Sequence, residues 1–187
     1  MAGLRVIAGS AKGRRLRMVP GEGTRPIADR VKESLFNILG TDIVGANFLD
    51  LFAGTGGVGI EALSRGARRA TFVEKDRLAL ETIKANLATT GLSGKADIVR
   101  TDVFAYLRNP PSAQFDFIYI APPQYFELWS RTLQLIDAQP EWLAPDGWAI
   151  VQIHPAESKE LELKHLQPVD ERRYGSTLLT FYERPGT

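Results

Sequence analysis

Apolar positions along this chain fall into short unbroken blocks, separated by stretches in which they recur every third or fourth residue. The blocks predict buried strands at Phe48–Phe52, Ala70–Val73, Ala96–Val99, Phe115–Ile120 and Trp148–Ile153. The stretches between them predict helices at Val58–Ser64, Arg77–Thr89, Val103–Leu107 and Phe126–Ile136. Apolar strands that alternate with helices of about ten residues imply an α/β fold, a mostly parallel sheet covered on both faces. Toward the end, Glu157–Leu166 reads as a helix or an irregular surface segment. Pro168–Arg173 and Thr177–Tyr182 flank a Tyr-Gly-Ser turn and predict a closing antiparallel pair.

The start of the chain breaks this rhythm. Leu4–Ala8 and Arg14–Val19 are short extended runs joined by Gly-Ser-Ala-Lys-Gly, the pattern of a β-hairpin. A Gly- and Pro-rich stretch follows, and then a helix from Asp29, with Val31, Leu35, Ile38 and Leu39 on one face and Asp29 placed to cap it. The expected organisation is an N-terminal hairpin and linker at 1–28 and one main domain at 29–187. A chain of 187 residues suits a single main core.

Charge sharpens that division. The formal net charge is only +1, yet residues 1–40 hold eight Lys/Arg against three Asp/Glu, net +5, and the remainder is net −4. A phosphate-bearing partner would meet the N-terminal end first. Lys12, Arg14, Arg15 and Arg17 in the hairpin are candidates to track phosphates, with strand alternation expected to split them between two faces. Arg25 and Arg30 stand nearer the main domain and are candidates to order the cleft or grip a substrate backbone. Cysteine is absent, and two histidines make no zinc set. With neither a long apolar span nor a secretory leader in view, a soluble cytoplasmic protein is expected, with no metal and no membrane partner.

The stretch Phe-Leu-Asp-Leu-Phe-Ala-Gly-Thr-Gly-Gly-Val-Gly, residues 48–59, runs a strand through a glycine turn into a helix. Such a turn brings a ligand close to backbone amides. Gly54, Gly56 and Gly59 match the dinucleotide spacing, and Glu74, twenty residues beyond Gly54, is placed to accept ribose hydroxyls. Two cofactor classes fit: a dinucleotide, or another adenosine-containing molecule. Asp50 favours the second, because a carboxylate there repels a pyrophosphate and suits a sulfonium with its ammonium. Asp102 follows the third predicted strand at the same sheet edge; it either takes an adenine amine, with Val103 or Phe104 against the ring, or caps the next helix. Asp76 is a helix-cap candidate of the same kind.

The strand Phe115–Ile120 ends on Ala121-Pro122-Pro123-Gln124-Tyr125. Two prolines cannot donate ladder bonds, so they stop the strand and leave its last carbonyls as fixed acceptors beside the cleft. That suits a planar amine more than a phosphate. Tyr125 or Phe126 is placed to stack on an extruded base.

On these stretches the chain resembles the class I S-adenosylmethionine-dependent methyltransferases, and within them the RsmD-like 16S rRNA (guanine-N2)-methyltransferase family. The basic segment from Arg5 to Leu39, the glycine loop, Phe72–Arg77 and the closing Arg173–Glu183 all carry the likeness. The resemblance implies a Rossmann-like fold, a seven-stranded mostly parallel sheet with its last strand antiparallel, and an N-terminal extension that helps to hold rRNA. It also implies S-adenosyl-L-methionine as cofactor, with Asp50, Gly54 and Gly56 in its loop, Glu74 on the ribose and Asp102 on the adenine amine. The family's next motif reads Asp or Asn, Pro, Pro, Tyr or Phe, where this chain has Ala121, Pro122, Pro123 and Gln124. The acceptor then becomes the Ala121 carbonyl, and the stacking ring moves to Tyr125. The implied partner is 16S rRNA, within a small-subunit particle, met by a monomer. Two other functions stay open on the sequence: an rRNA-binding assembly factor that keeps the fold without turnover, and an NAD-dependent oxidoreductase.

Overall fold

The computed structural model describes residues 3–21 and 26–186. Seven strands form one sheet: β1 (Asn47–Leu51), β2 (Arg69–Glu74), β3 (Ala96–Arg100), β4 (Phe115–Ile120), β5 (Leu143–Ile153), β6 (Gln167–Tyr174) and β7 (Thr177–Glu183). Their spatial order is β3-β2-β1-β4-β5-β7-β6. The first five run parallel to one another, and β7 lies antiparallel between β5 and β6. The expected mostly parallel sheet with an antiparallel last strand is therefore present.

The helices are α1 (Asp29–Leu39), α2 (Gly57–Ser64), α3 (Arg77–Thr90), α4 (Val103–Arg108) and α5 (Leu128–Ala138). They cover the two faces and divide the core. One apolar layer joins Leu35 and Phe36 of α1, Ile60 and Leu63 of α2 and Ile83 of α3 to Phe48, Phe72, Tyr119 and Phe181. The other joins Val103 and Leu107 of α4 and Trp129, Leu133 and Ile136 of α5 to Leu49, Ile118 and Val151. Strand order reverses between β1 and β4, so their carboxyl ends diverge and open a crevice at the sheet edge.

The N-terminal hairpin survives as one antiparallel bridge, Arg5 to Arg15, flanked by Val6 N–H to Arg14 O (2.9 Å) and Leu16 N–H to Leu4 O (2.8 Å). It does not extend into a ladder because its other backbone groups are spent on α2. Glu61 accepts the amides of Ile7 and Ala8 at 3.0 and 3.1 Å, and Ser64 accepts Ala11 N–H at 2.9 Å. Glu61 and Lys32 are both fully buried, and Lys32 Nζ also donates to Arg5 O at 2.6 Å. Burial holds the Lys32 ammonium below the usual lysine range despite the opposing pull of Glu61. Gly9 belongs to the same clamp: with φ at +88° it lies so near the Ser64 carbonyl that a Cβ would sit 1.9 Å from its oxygen. Leu4, Val6, Ala11 and Leu16 consequently enter the first core layer.

Three local expectations shift, and one open alternative is decided. Ala28, not Asp29, occupies the N-cap of α1, and Asp29 instead pairs with Arg5 at 3.0 Å. α5 starts at Leu128 rather than Phe126 because Tyr125 and Glu127 take positive φ values of 69° and 54°. β5 begins at Leu143; its Ala-Pro-Asp-Gly stretch forms an irregularity inside one strand, between the pairs Phe115 to Leu143 and Phe117 to Trp148. Beyond the short turn Pro155–Glu157, the acidic-basic segment up to Leu166 is irregular and contains no helix.

Candidate active site

A cleft of about 1000 Å³ opens at the carboxyl ends of β1, β2, β3 and β4. The glycine turn forms its floor. Gly54 and Gly56 take positive φ (57° and 78°), and Phe52 shares that sign at 58°, an uncommon conformation for a bulky residue. Gly59 is required by contact: a Cβ there would lie 2.4 Å from the Phe72 ring. This lets α2 press onto β2.

Four of the turn's amides already have protein partners. Gly54 N–H donates to Glu74 Oε2 at 2.9 Å, Gly56 N–H to Ala53 O at 2.8 Å, Gly57 N–H to Thr55 Oγ1 at 3.1 Å and Gly59 N–H to Asp50 Oδ2 at 3.1 Å. A pyrophosphate needs such donors unspent, so these four bonds weigh against the dinucleotide reading. Asp50 contributes differently from the expectation. Burial pushes its carboxyl well above the usual carboxylate range and nearby Glu74 adds to the effect, while Gly59 N–H opposes it. Repulsion of phosphates by Asp50 is thereby weakened, and its main visible work is to hold α2 to β1.

Glu74 and Asp102 flank the turn on the ends of β2 and β3, and both line the cleft. Glu74 Oε1 also accepts the amides of Lys75 and Asp76, each at 2.9 Å, so its carboxylate is fixed by three N–H groups. Asp102 caps α4 through one oxygen, Oδ1, which takes Phe104 and Ala105 N–H at 2.9 and 3.2 Å. Both of its expected roles are compatible, since Oδ2 makes none of these bonds. Asp76 caps α3 by accepting Ala79 N–H at 2.8 Å. Val103 is buried and lines the cleft, and Phe104 lines it under the Arg131 guanidinium, 4.2 Å above the ring.

The other rim is the end of β4. Ala121, Pro122, Pro123, Gln124 and Phe126 line the cleft. Tyr125 does not; its N–H donates to Glu157 Oε1 at 2.8 Å and its ring lies 5.9 Å from His154. Both rings are open to solvent, Tyr125 at 64% and Phe126 at 69%. Of the two stacking candidates, Phe126 is the one at the cleft.

The N-terminal arm makes a third wall through Leu4, Val19, Pro20, Pro26, Ile27 and Ala28. Lys12, Arg14, Arg15 and Arg17 are all exposed, while Leu4, Val6, Ala11 and Leu16 of the arm are buried. Arg30 is exposed on α1, and Arg25 lies outside the described residues. Sequence reasoning missed Asn86. This buried side chain accepts Arg17 N–H at 2.7 Å and donates to Arg17 O at 3.1 Å and Thr55 O at 2.9 Å, tying the arm to the glycine turn. It also missed Gln152, Ser176 and Thr177, which reach the cleft from β5 and the β6–β7 turn. The Tyr-Gly-Ser turn was a signal for the last two; Gln152 had none.

The family described as Conserved hypothetical protein 95 matches residues 4–183. YlbH of Bacillus subtilis is 39% identical over 189 residues, which cover 98% of this chain and 100% of that one. Ribosomal RNA small subunit methyltransferase D of Haemophilus influenzae is 37% identical over 160 residues, covering 84% and 81%. This chain belongs to the ribosomal RNA small subunit methyltransferase D family. The solved structure of Escherichia coli yhhF agrees, with a TM-score of 0.87 at 32% identity over the whole of both chains. The family match begins at residue 4, and the likenesses to YlbH and yhhF cover nearly the whole chain, so the arm is part of the shared architecture.

Proposed function

We propose that this chain transfers a methyl group from S-adenosyl-L-methionine to the exocyclic N2 of a guanine in 16S rRNA, with the cleft at the β1–β4 strand ends as the active site. The observation that carries this reading is the glycine turn, four of whose amides are spent on protein, with carboxylates at the ends of β2 and β3 lining the cleft beside it. That donor set fits a cofactor with ribose hydroxyls, an adenine amine and a cationic end better than one with phosphates. S-adenosylmethionine supplies an electrophilic methyl group.

The chain's own residues do the rest. Glu74 accepts from ribose hydroxyls with oxygens already oriented by three amides, and Asp102 Oδ2 accepts from the adenine amine, with Val103 and Phe104 against the ring. Gly54 and Gly56 keep side chains out of the approach, and Asp50 anchors the turn from below. At the β4 end the Ala121 carbonyl accepts one N–H of the target amine, and Pro122 and Pro123 keep that carbonyl out of any ladder. Directing the amine matters because its lone pair is delocalised into the base. Phe126, beside Tyr125, stacks on the extruded base.

Residues 1–28 form the RNA-gripping arm and 29–187 the cofactor-binding domain. Lys12, Arg14, Arg15 and Arg17 contact phosphates from the arm, and Arg25 and Arg30 grip the substrate backbone. The substrate is rRNA within a small-subunit particle, approached by a monomer in the cytoplasm. Among the described residues no helix is long and apolar enough to cross a membrane.

Incubation with methyl-labelled S-adenosylmethionine and either bare 16S rRNA or small-subunit particles tests this reading. Label in a guanine is expected, together with saturable binding of S-adenosylmethionine and none of NAD. Binding of the particle without label transfer would instead favour the assembly-factor function.

A further inference from the structure

Gln152 lies in β5, where the register pairs Ile120 with Val151. One step further along the same parallel ladder, Gln152 comes beside Ala121, and alternation puts Tyr119, Ala121, Ile150 and Gln152 on one face of the sheet. Ala121, Tyr119 and Gln152 all line the cleft. The Tyr119 hydroxyl donates to Gln152 Oε1. Tyr119 is buried, and that burial, with Asp50 nearby, holds its pKa well above the usual phenol range, so the hydroxyl keeps its proton and remains a donor. With Oε1 engaged, the carboxamide turns Nε2 away from Tyr119. Among the described residues the Gln152 side chain takes part in a hydrogen bond only through Oε1, and it is half-buried, leaving Nε2 open to solvent at the cleft.

On the reading of this cleft as a guanine-N2 methyl-transfer site, we propose that Gln152 is a second base-holding residue, its Nε2 donating to the ring nitrogen N3 of the target guanine. The Ala121 carbonyl and Gln152 Nε2 then form an acceptor and a donor side by side on adjacent strands. The edge of guanine offers the complement, an N2–H beside the N3 lone pair. Two bonds fix the base in its plane, where a single carbonyl bond leaves it free to pivot about the amine. A lip with no carboxylate at position 121 gains in this way a second point of attachment. Tyr119 is a positioning residue: it touches Gln152 and orients the carboxamide.

The test measures kcat/KM on small-subunit particles reconstituted with 16S rRNA carrying guanine or 3-deazaguanine at the target nucleotide. 3-Deazaguanine keeps the amine and lacks the N3 acceptor. Wild-type protein is expected to lose about tenfold on the analogue, the typical cost of one unmade hydrogen bond at a desolvated site. Gln152→Ala is expected to lose about tenfold on guanine and nothing more on 3-deazaguanine, with its Kd for S-adenosylmethionine unchanged and its melting temperature lowered by loss of the Tyr119 hydroxyl's acceptor. Tyr119→Phe, which frees the carboxamide without removing it, is expected to lose roughly threefold on guanine and nothing on the analogue. If Gln152→Ala does not fold, Tyr119→Phe decides by the same pair of substrates. Losses that simply multiply, or a Gln152→Ala protein as active as wild type on guanine, overturn this inference alone. Wild-type protein that methylates no guanine in either particle removes the underlying reading along with it.

Discussion

The cofactor rim and the substrate rim of the cleft are held in different ways. On the cofactor rim, at the ends of β1, β2 and β3, each acid is tied down by backbone N–H groups: Asp50 by Gly59, Glu74 by Gly54, Lys75 and Asp76, and Asp102 by Phe104 and Ala105. Most of these bonds span one turn or one strand-to-helix junction, the Gly54–Glu74 bond joins the ends of β1 and β2, and together they set the acids before a ligand arrives. On the substrate rim, at the end of β4, no acid takes this role. Tyr125 and Phe126 stand in solvent, and two residues of the lip hold positive φ. Its braces come from far away in sequence: Glu157 accepts Tyr125 N–H, and Lys159 pairs with Glu127 at 2.9 Å. One rim is preorganised, and the other waits for a large substrate to complete it. That division matches a small cofactor paired with an RNA whose base must be drawn out of a stack.

Substitutions can break this contrast. The largest effect is expected on the arm that walls both rims. Glu61→Ala removes the acceptor of two arm amides and leaves Lys32 buried without its partner, at a cost of about 3–5 kcal/mol in chemical denaturation. Next, Glu74→Ala frees Gly54 N–H and deletes the proposed ribose acceptor. Titration calorimetry should show S-adenosylmethionine affinity falling by about 100-fold, with RNA binding retained. On the other rim, Phe126→Ala should weaken particle binding by about 1–3 kcal/mol, more than Tyr125→Ala, and leave cofactor affinity unchanged. A larger loss from Tyr125 would place the stacking ring one residue earlier than the cleft lining does.

The smallest effect concerns the brace. The segment that carries Glu157 and Lys159 is itself anchored at Asp137, whose carboxylate accepts the amides of Lys164, His165 and Leu166 at 2.9, 2.7 and 2.9 Å. Burial raises the Asp137 pKa, but those three amides and the nearby His165 outweigh it and leave the carboxyl below the usual aspartate range. A depressed folded-state pKa means stability that is present above the unfolded value, about 3.9, and is lost as pH falls through the lower folded value. Asp137→Asn should therefore flatten the acid limb of the melting temperature against pH, with little change in cofactor affinity.

Local pattern made the cofactor rim legible. Strand, glycine turn, helix and acid follow one another within residues 48–76, and each is positioned by neighbours close in sequence. Asp50 was found in that way, although its burial was not, because depth depends on α2 pressing Gly59 against Phe72. The substrate rim was only half legible. Pro122 and Pro123 announce the end of β4, but Gln152 gains its place from register with a strand that ends thirty-two residues earlier. Glu61, Lys32 and Asn86 look like the solvent faces of amphipathic helices. They are buried because the N-terminal arm lies over them, a contact between segments 27 to 69 residues apart that no local period records.

The most direct measurement is mass-spectrometric mapping of methylated nucleotides in 16S rRNA from cells with and without this protein. The account predicts one N2-methylguanosine that disappears without the protein and returns when wild-type protein is supplied, but not when Glu74→Ala is supplied. An unchanged set of methylated guanines in its absence would contradict it.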